Sequence, residues 1–486
     1  MASSSGRLAK NAMYLTIASI LQKIISFAYY GYLAIAFNES GIGKYSFALL
    51  FTSIFGIFMD FGLNSLLTRE GSKNEENLQD YFSRFFSVKI ILILIALVVL
   101  FPTIYLGHLF FDKIDILDVQ LVAVGALIIV LDSLIATLYA VFRALKKMHW
   151  EALGIIIYQV AIVTAGVIAI KLHLPLIFIL FALLFGSSLQ LIYMYVVFKL
   201  KTKIKFKFKI EKNSFKKILF MAAPFAIAGL IFRLTGSADT FMLKLMAGDN
   251  YVGWYSIAFK LTFALTVLPG AFATSYFPVI SHHFKNAQEK MHEVFENGFV
   301  YMLILSLPIV GGVLVLGDNI VLSVWGPTWA ASIKPLWIFM AALPFVFLNY
   351  PVGNFLNAVN KQTLNTVNMF ISLVVNIIIN AILIPYYTYN GAALAVLASS
   401  ILLVFLGLPW VYKIAPFNLA YLFKKGIKIF FAAALMTFVL YVVQSNYPIF
   451  VLIPLGALLY FFLIIFSGAL KKEDLIHLKI AIFKKG

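Results

Sequence analysis

Apolar runs of about twenty residues recur from one end of this chain to the other, and few folds accept that pattern. A run of that length crosses a hydrocarbon core of ~30 Å as a helix. The 486 residues are 62% hydrophobic and only 12% charged, with a mean hydropathy of +0.97; soluble domains carry roughly 25% charged residues. Barrel strands would alternate polar and apolar over roughly ten residues, which these runs do not. The sequence therefore predicts an all-α, polytopic membrane protein. Fourteen spans are expected, near 11–36, 42–67, 83–107, 118–142, 153–171, 175–198, 217–242, 251–277, 299–317, 333–357, 364–386, 390–412, 427–444 and 448–469. The first reads as an uncleaved helix, because no short apolar region with a small-residue cleavage site precedes it.

An even number of spans puts both termini on one side, and the lysines say which. Arg7, Lys10, Arg69, Lys73, Arg84, Arg143, Lys146, Lys147, Lys285, Lys290, Lys361, Lys413, Lys424, Lys425, Lys428 and the tail "KKEDLIHLKIAIFKKG" share the N-terminal side. The opposite connections offer isolated lysines: Lys44, Lys113, Lys171, Lys244 and Lys334. The positive-inside rule then places both termini in the cytoplasm. The net charge of +18 is mostly topology, which argues against nucleic acid as a partner. Cysteine is absent, so disulfides and thiol chemistry are excluded.

The run "KLKTKIKFKFKIEK" alternates Lys with Ile or Phe and reads as a strand-like or amphipathic piece at an anionic leaflet surface. It also separates two related halves. "GIGKYSFALL" (41–50) opens the second span and "YVGWYSIAFK" (251–260) the eighth, sharing G-x-Y-S. "FRALKKM" (142–148) and "LNAVNKQ" (356–362) match at a similar offset. A duplicated six-helix unit of like orientation follows, with a pseudo-twofold along the membrane normal. The expected layout is a lobe at 1–200, a basic linker at 201–216, a second lobe at 217–413, and two extra helices with a tail at 414–486.

Ionisable residues inside spans stand out. At ~1.5 Å per residue, Lys23 and Lys260 fall near mid-membrane and Arg233 in the outer half. Asp132 sits around the middle, Asp60 nearer the cytoplasm, and Asp239 close to the outer interface. A charge facing lipid at the centre costs at least ~2.5–3.5 kcal/mol, so such groups should face a wet cavity or each other. Polar stripes at helical spacing accompany them: Thr16, Lys23, Ser26, Tyr30; Ser53, Gly56, Asp60, Asn64; Gly253, Ser256, Lys260; and Asn365, Asn368, Ser372, Asn376, Asn380. The candidate cavity lining is Tyr30, Asn64, Ser256, Asn368, Ser372 and Asn376; the same stripes also suit packing seams between helices. Lys89 is expected to snorkel to the cytoplasmic interface. Asp112, Asp115 and Asp118 read as a solvated turn, and His282, His283 and His292 as a solvated helix without a zinc-type spacing. Nothing calls for a cofactor or metal, and no nucleotide-binding glycine loop is present.

"DFGLNSLLTRE" (60–70), "FRALKKMHWEAL" (142–153) and "ADTFMLKLMAGDNYVGWYSIAFKL" (238–261) resemble recurring segments of polysaccharide repeat-unit flippases of the multidrug/oligosaccharidyl-lipid/polysaccharide exporter superfamily. The resemblance implies two six-helix lobes around a cavity that opens alternately to either side. It implies an undecaprenyl-diphosphate-linked oligosaccharide as cargo and the cytoplasmic membrane as location, with membrane lipids and a glycan polymerase or other assembly proteins as partners. It also implies cavity cations on the first and eighth helices, where Lys23 and Lys260 stand in place of arginines. Arg233 would grip a phosphate bidentately and the lysines would act as point charges. Asp60, Asp132 and Asp239 are the groups available for ion coupling; proton, sodium and potential remain open. An ion-coupled multidrug exporter of the same superfamily is the nearest alternative, and would favour central acids over central cations. A membrane enzyme of glycan assembly, such as a polymerase, would need a larger outer loop, and a non-transporting scaffold has no residue in its favour.

Overall fold

The computed structural model describes residues 2–209 and 212–469, all helical apart from turns and short connections. The basic tail from 471 lies outside them, as do the side chains of Arg7 and Lys10. The chain divides into two compact units, residues 1–256 and 257–486.

The first unit holds α1 (Ala2–Ala36), α2 (Glu39–Asp60), α3 (Leu63–Lys73), α4 (Leu78–Phe110), α5 (Ile116–Ala144), α6 (His149–Lys171), α7 (Ile177–Lys201), α8 (Lys212–Thr235), α9 (Ala238–Met246) and the start of α10 (Asp249–Ala264). Local signals set the ends. Asn38 caps α2 by accepting from the Gly41 N–H at 2.9 Å. Asp115 and Asp118 form a reciprocal capping box at the start of α5. Between α2 and α3 the backbone turns left-handed at Phe61 and Gly62, φ 44° and 75°. A Cβ at Gly62 would press on Phe225 and on the Ala222 carbonyl of α8, so glycine is required there on both grounds. The core gathers Leu66, Phe82, Phe142 and Phe198, with Ile218 and Ala222 of α8 against them.

The second unit continues with α11 (Val267–Asn286), α12 (Met291–Trp325), α13 (Ile333–Ala358), α14 (Gln362–Ile414), α15 (Leu419–Val443) and α16 (Ile449–Phe466). α14 is two apolar helices joined at Thr388, whose φ 50° and ψ −127° are not helical. Its core centres on Phe295, Phe355, Val411, Ile429 and Met436. Asn418 caps α15 through the Tyr421 N–H, and Glu296 accepts the Asn418 N–H at 2.6 Å.

Twelve helical segments are long and apolar enough to cross a membrane; 362–414 holds two crossings, and α1 adds another. The total matches the fourteen spans read from hydropathy, and the protein is a multi-pass membrane protein.

Candidate functional site

The two Gly-x-Tyr-Ser segments meet. A Cβ at Gly43 would collide with the Asp249 carbonyl, and a Cβ at Gly253 with the Glu39 carbonyl. Both pairings are the same one seen twice, since 253 − 43 and 249 − 39 each equal 210. The first turns of α2 and α10 therefore touch backbone to backbone, and glycine is the residue that permits it. The serines of the two motifs share one partner. Tyr30 of α1 lies 3.0 Å from Ser46 Oγ and also hydrogen-bonds the Ser256 side chain. Tyr30 and Ser256 are buried in this seam, so they are not open lining as the sequence led us to expect. Their hydroxyls satisfy one another and need no water.

Charges ring the same seam. Lys44 of α2 pairs with Asp115, with Asp249 at 3.0 Å and with Asp118 at 3.6 Å. Lys244 of α9 pairs with Asp118 at 2.7 Å and with Asp249, and its ammonium lies 5.3 Å from the Phe47 ring centre. Both Lys244 and Asp118 side chains are 0% exposed, so Asp118 does not belong to a solvated turn. Asp112 alone of that trio is exposed without an ion-pair partner among the described residues. Three carboxylates face two ammoniums, and Asp118 Oδ1 is buried with no hydrogen-bond partner. Burial alone would raise the Asp115 carboxyl, but Lys44 and the Asp118 backbone hold it below the ordinary carboxylate range. The sequence signal for this cluster was available: isolated lysines on one side of the membrane, Lys44 and Lys244, accompany the acids Asp115, Asp118 and Asp249 on the same side.

The predicted ion-coupling acids are dispersed. Asp239 is buried and lies beside Tyr255, the tyrosine of the second motif. Asp60 at the end of α2 pairs with Lys89 at 3.0 Å. Lys89 also donates to Asn64 Oδ1 at 3.0 Å, which accepts from Thr137 at 3.2 Å. Lys89 is thus buried and does not snorkel: a carboxylate and an amide replace its water within the helix bundle. Asn64 is part of this knot. Asp132, midway along α5, is half-buried and accepts from Ser187 at 2.7 Å, with no basic partner among the described residues.

The predicted cavity cations behave differently. Lys23 on α1 is exposed, with no ion-pair partner among the described residues. Arg233 at the end of α8 is exposed and donates from Nε to Ser53 Oγ at 2.9 Å. Lys260, in the second unit, is exposed on α10. Asn368, Ser372 and Asn376 are buried inside the second unit. Ser372 donates to the Ser399 carbonyl at 2.8 Å, Asn376 to Ser399 Oγ at 3.4 Å, and Asn380 to Asn376 at 3.0 Å. In this structure Ser372 and Asn376 join the two halves of α14 through Ser399, and all three face protein rather than open space.

The comparisons with known proteins agree with this architecture. The "Probable low-salt glycan biosynthesis flippase Agl15" of Haloferax volcanii is 25% identical over 402 residues, covering 80% of each chain. The "Capsular polysaccharide biosynthesis protein CapF" of Staphylococcus aureus is 20% identical over 404 residues, 80% of this chain and 96% of that one. Among solved structures, a lipid II flippase MurJ in an inward closed conformation superposes with a TM-score of 0.77. It is 20% identical, with 96% of this chain and all of that one covered. Residues 224–382 match the MatE family. Residues 8–284, which contain both Gly-x-Tyr-Ser segments and the whole ion cluster, match the polysaccharide biosynthesis protein family, and the chain belongs to that family.

Proposed function

We propose that the protein is a flippase. It moves undecaprenyl-diphosphate-linked oligosaccharide repeat units from the cytoplasmic to the outer leaflet of the cytoplasmic membrane, with both termini cytoplasmic. It is a transporter and performs no covalent chemistry. The observation that carries this reading is the exposure of Lys23, Arg233 and Lys260 within apolar helices of a chain from this family. A guanidinium or ammonium open to hydrocarbon is costly, whereas one open to a wet cavity has a use. A diphosphate crossing the membrane loses its hydration, and cations in that cavity replace it through charge-assisted hydrogen bonds.

The cycle is alternating access, rocking two six-helix lobes at 1–200 and 217–413. The Gly43–Gly253 seam, with Tyr30 and the lysine–aspartate ring, is the outer gate. Its contacts are backbone approach, hydroxyls and ion pairs, all of which water can take over when the gate opens. The polyprenyl tail stays in the bilayer. Two apolar grooves of about 380 and 420 Å³ between α12 and α15, sharing Phe430 and lined by Phe299, Leu303, Phe423, Leu314 and Tyr441, offer it a track.

Charge-removing substitutions Lys23→Gln, Arg233→Gln and Lys260→Gln, expressed at normal levels, should each abolish surface-glycan export. Wild-type export by all three would reject the site. The MatE match over 224–382 supports a second reading, an exporter of cationic drugs. Under that reading the same substitutions would leave glycan export untouched and change drug resistance.

A further inference from the structure

The connection after α7 is not a slack linker. Residues 202–209 leave the helix in an extended conformation at Thr202 and are pinned to α4 by four hydrogen bonds. Lys205 donates its N–H to Gln79 Oε1 at 2.6 Å and its carbonyl accepts from Gln79 Nε2 at 2.9 Å. The Lys209 N–H donates to Ser87 Oγ at 2.8 Å, and its ammonium reaches Asp80 at 2.7 Å. In an extended chain successive side chains point to opposite faces. Of the two phenylalanines, Phe206 meets Phe82, Phe86 and Phe198 at 5.2–5.3 Å and Phe208 meets Phe86 at 6.0 Å, while each keeps part of its ring on the surface.

The odd face is then a row of ammoniums. Lys203, Lys205 and Lys207 alternate along it, and Lys201 closes α7 just before it; all four are exposed. Among the described residues none of these four has an acid partner, since Asp80 is taken by Lys209 and Arg84. Phe206 at 42% and Phe208 at 67% exposed, within the same segment, place apolar rings beside the row. Rings able to enter acyl chains next to a fixed line of ammoniums match the two parts of an anionic phospholipid.

We propose that the band from Lys201 to Lys207 is a binding site for the headgroups of anionic phospholipids in the leaflet it borders. The inference does not depend on the cargo, because the band is built from residues separate from the candidate cavity cations.

Native mass spectrometry of the purified protein, titrated with phosphatidylglycerol or phosphatidylcholine, tests it. The K201Q/K203Q/K205Q/K207Q variant should lose phosphatidylglycerol affinity by about fivefold per lysine, leaving phosphatidylcholine unchanged. A matched control, K285Q/K290Q/K361Q/K413Q, removes the same charge from other exposed lysines and should stay within about twofold of wild type. Equal loss in both variants, or none in the first, overturns the proposal. A second arm keeps the lysines. Trp150 lies 5.7 Å from the Lys201 ammonium; with the other five of the six tryptophans changed to Phe, its fluorescence should be quenched more by brominated phosphatidylglycerol than by brominated phosphatidylcholine. Equal quenching by the two lipids contradicts the site.

Discussion

At the seam of the first unit, Lys44 and Lys244 meet Asp115, Asp118 and Asp249; along α14 of the second, buried Ser372 and Asn376 bond Ser399, and buried Asn380 bonds Asn376. Both bury polar groups in an apolar chain, yet they answer different needs. Neutral amides and hydroxyls in a membrane protein contribute on average ~0.6 kcal/mol per contact, and their bonds hold helices together without much penalty for being dry. Buried charges are poor glue, because desolvation offsets their attraction. They are strongly coupled to one another, however, and water can take them apart. A seam meant to open is better made of the second kind, and a joint meant to stay closed of the first.

The contrast is sharpest at Lys244. Lys244→Met leaves Asp118 buried without its main partner, a loss of about 3–5 kcal/mol. Its thermal unfolding in detergent should fall accordingly, while the double variant Lys244→Met/Asp118→Leu recovers most of the loss. A double variant no better than the single one would mean the pair has no special coupling.

Next comes Gly43→Ala. Its Cβ meets the Asp249 backbone, which cannot rotate away, so the seam must part; overpacking of this kind costs about 1–3 kcal/mol. A cysteine at Ser46 should then be labelled faster by a membrane-impermeant thiol reagent. Unchanged labelling would show that the seam tolerates a methyl group.

Asn376→Ala removes contacts of the amide ladder and should cost about 0.5–1.5 kcal/mol without changing that labelling rate. If it opened the seam as well, the distinction between gate and glue would fail.

The smallest effect is Asp115→Asn. Its side chain is 52% exposed, so solvent screening keeps the loss under about 1 kcal/mol. Because the folded pKa is lowered, the carboxylate stabilises the seam above its unfolded pKa, and that contribution disappears as pH falls through the folded value. Acid-dependent labelling of the Ser46 cysteine should therefore weaken in Asp115→Asn. Identical acid dependence would assign it to another group.

The spans and the paired Gly-x-Tyr-Ser segments were legible in the sequence because hydropathy and spacing are local. What those patterns could not give was partners. Lys89 looks like a snorkelling lysine by depth alone, and only the fold brings Asp60, 29 positions away, to its ammonium. The Asp118–Lys244 pair spans 126 positions, so no window of sequence contains it. Helical periodicity put Asn368, Ser372 and Asn376 on one face, but a face toward another helix and a face toward water read alike. Tyr30 was visible in its stripe, while its place between the serines of two distant repeats was not.

The chain has no cysteine, which makes the proposed gate directly testable. Ser46→Cys/Ser256→Cys, joined by a short bis-methanethiosulfonate and reconstituted with a fluorescent polyprenyl-diphosphate oligosaccharide, should stop translocation and resume it on reduction. Translocation at the same rate before and after reduction would contradict an outer gate at this seam.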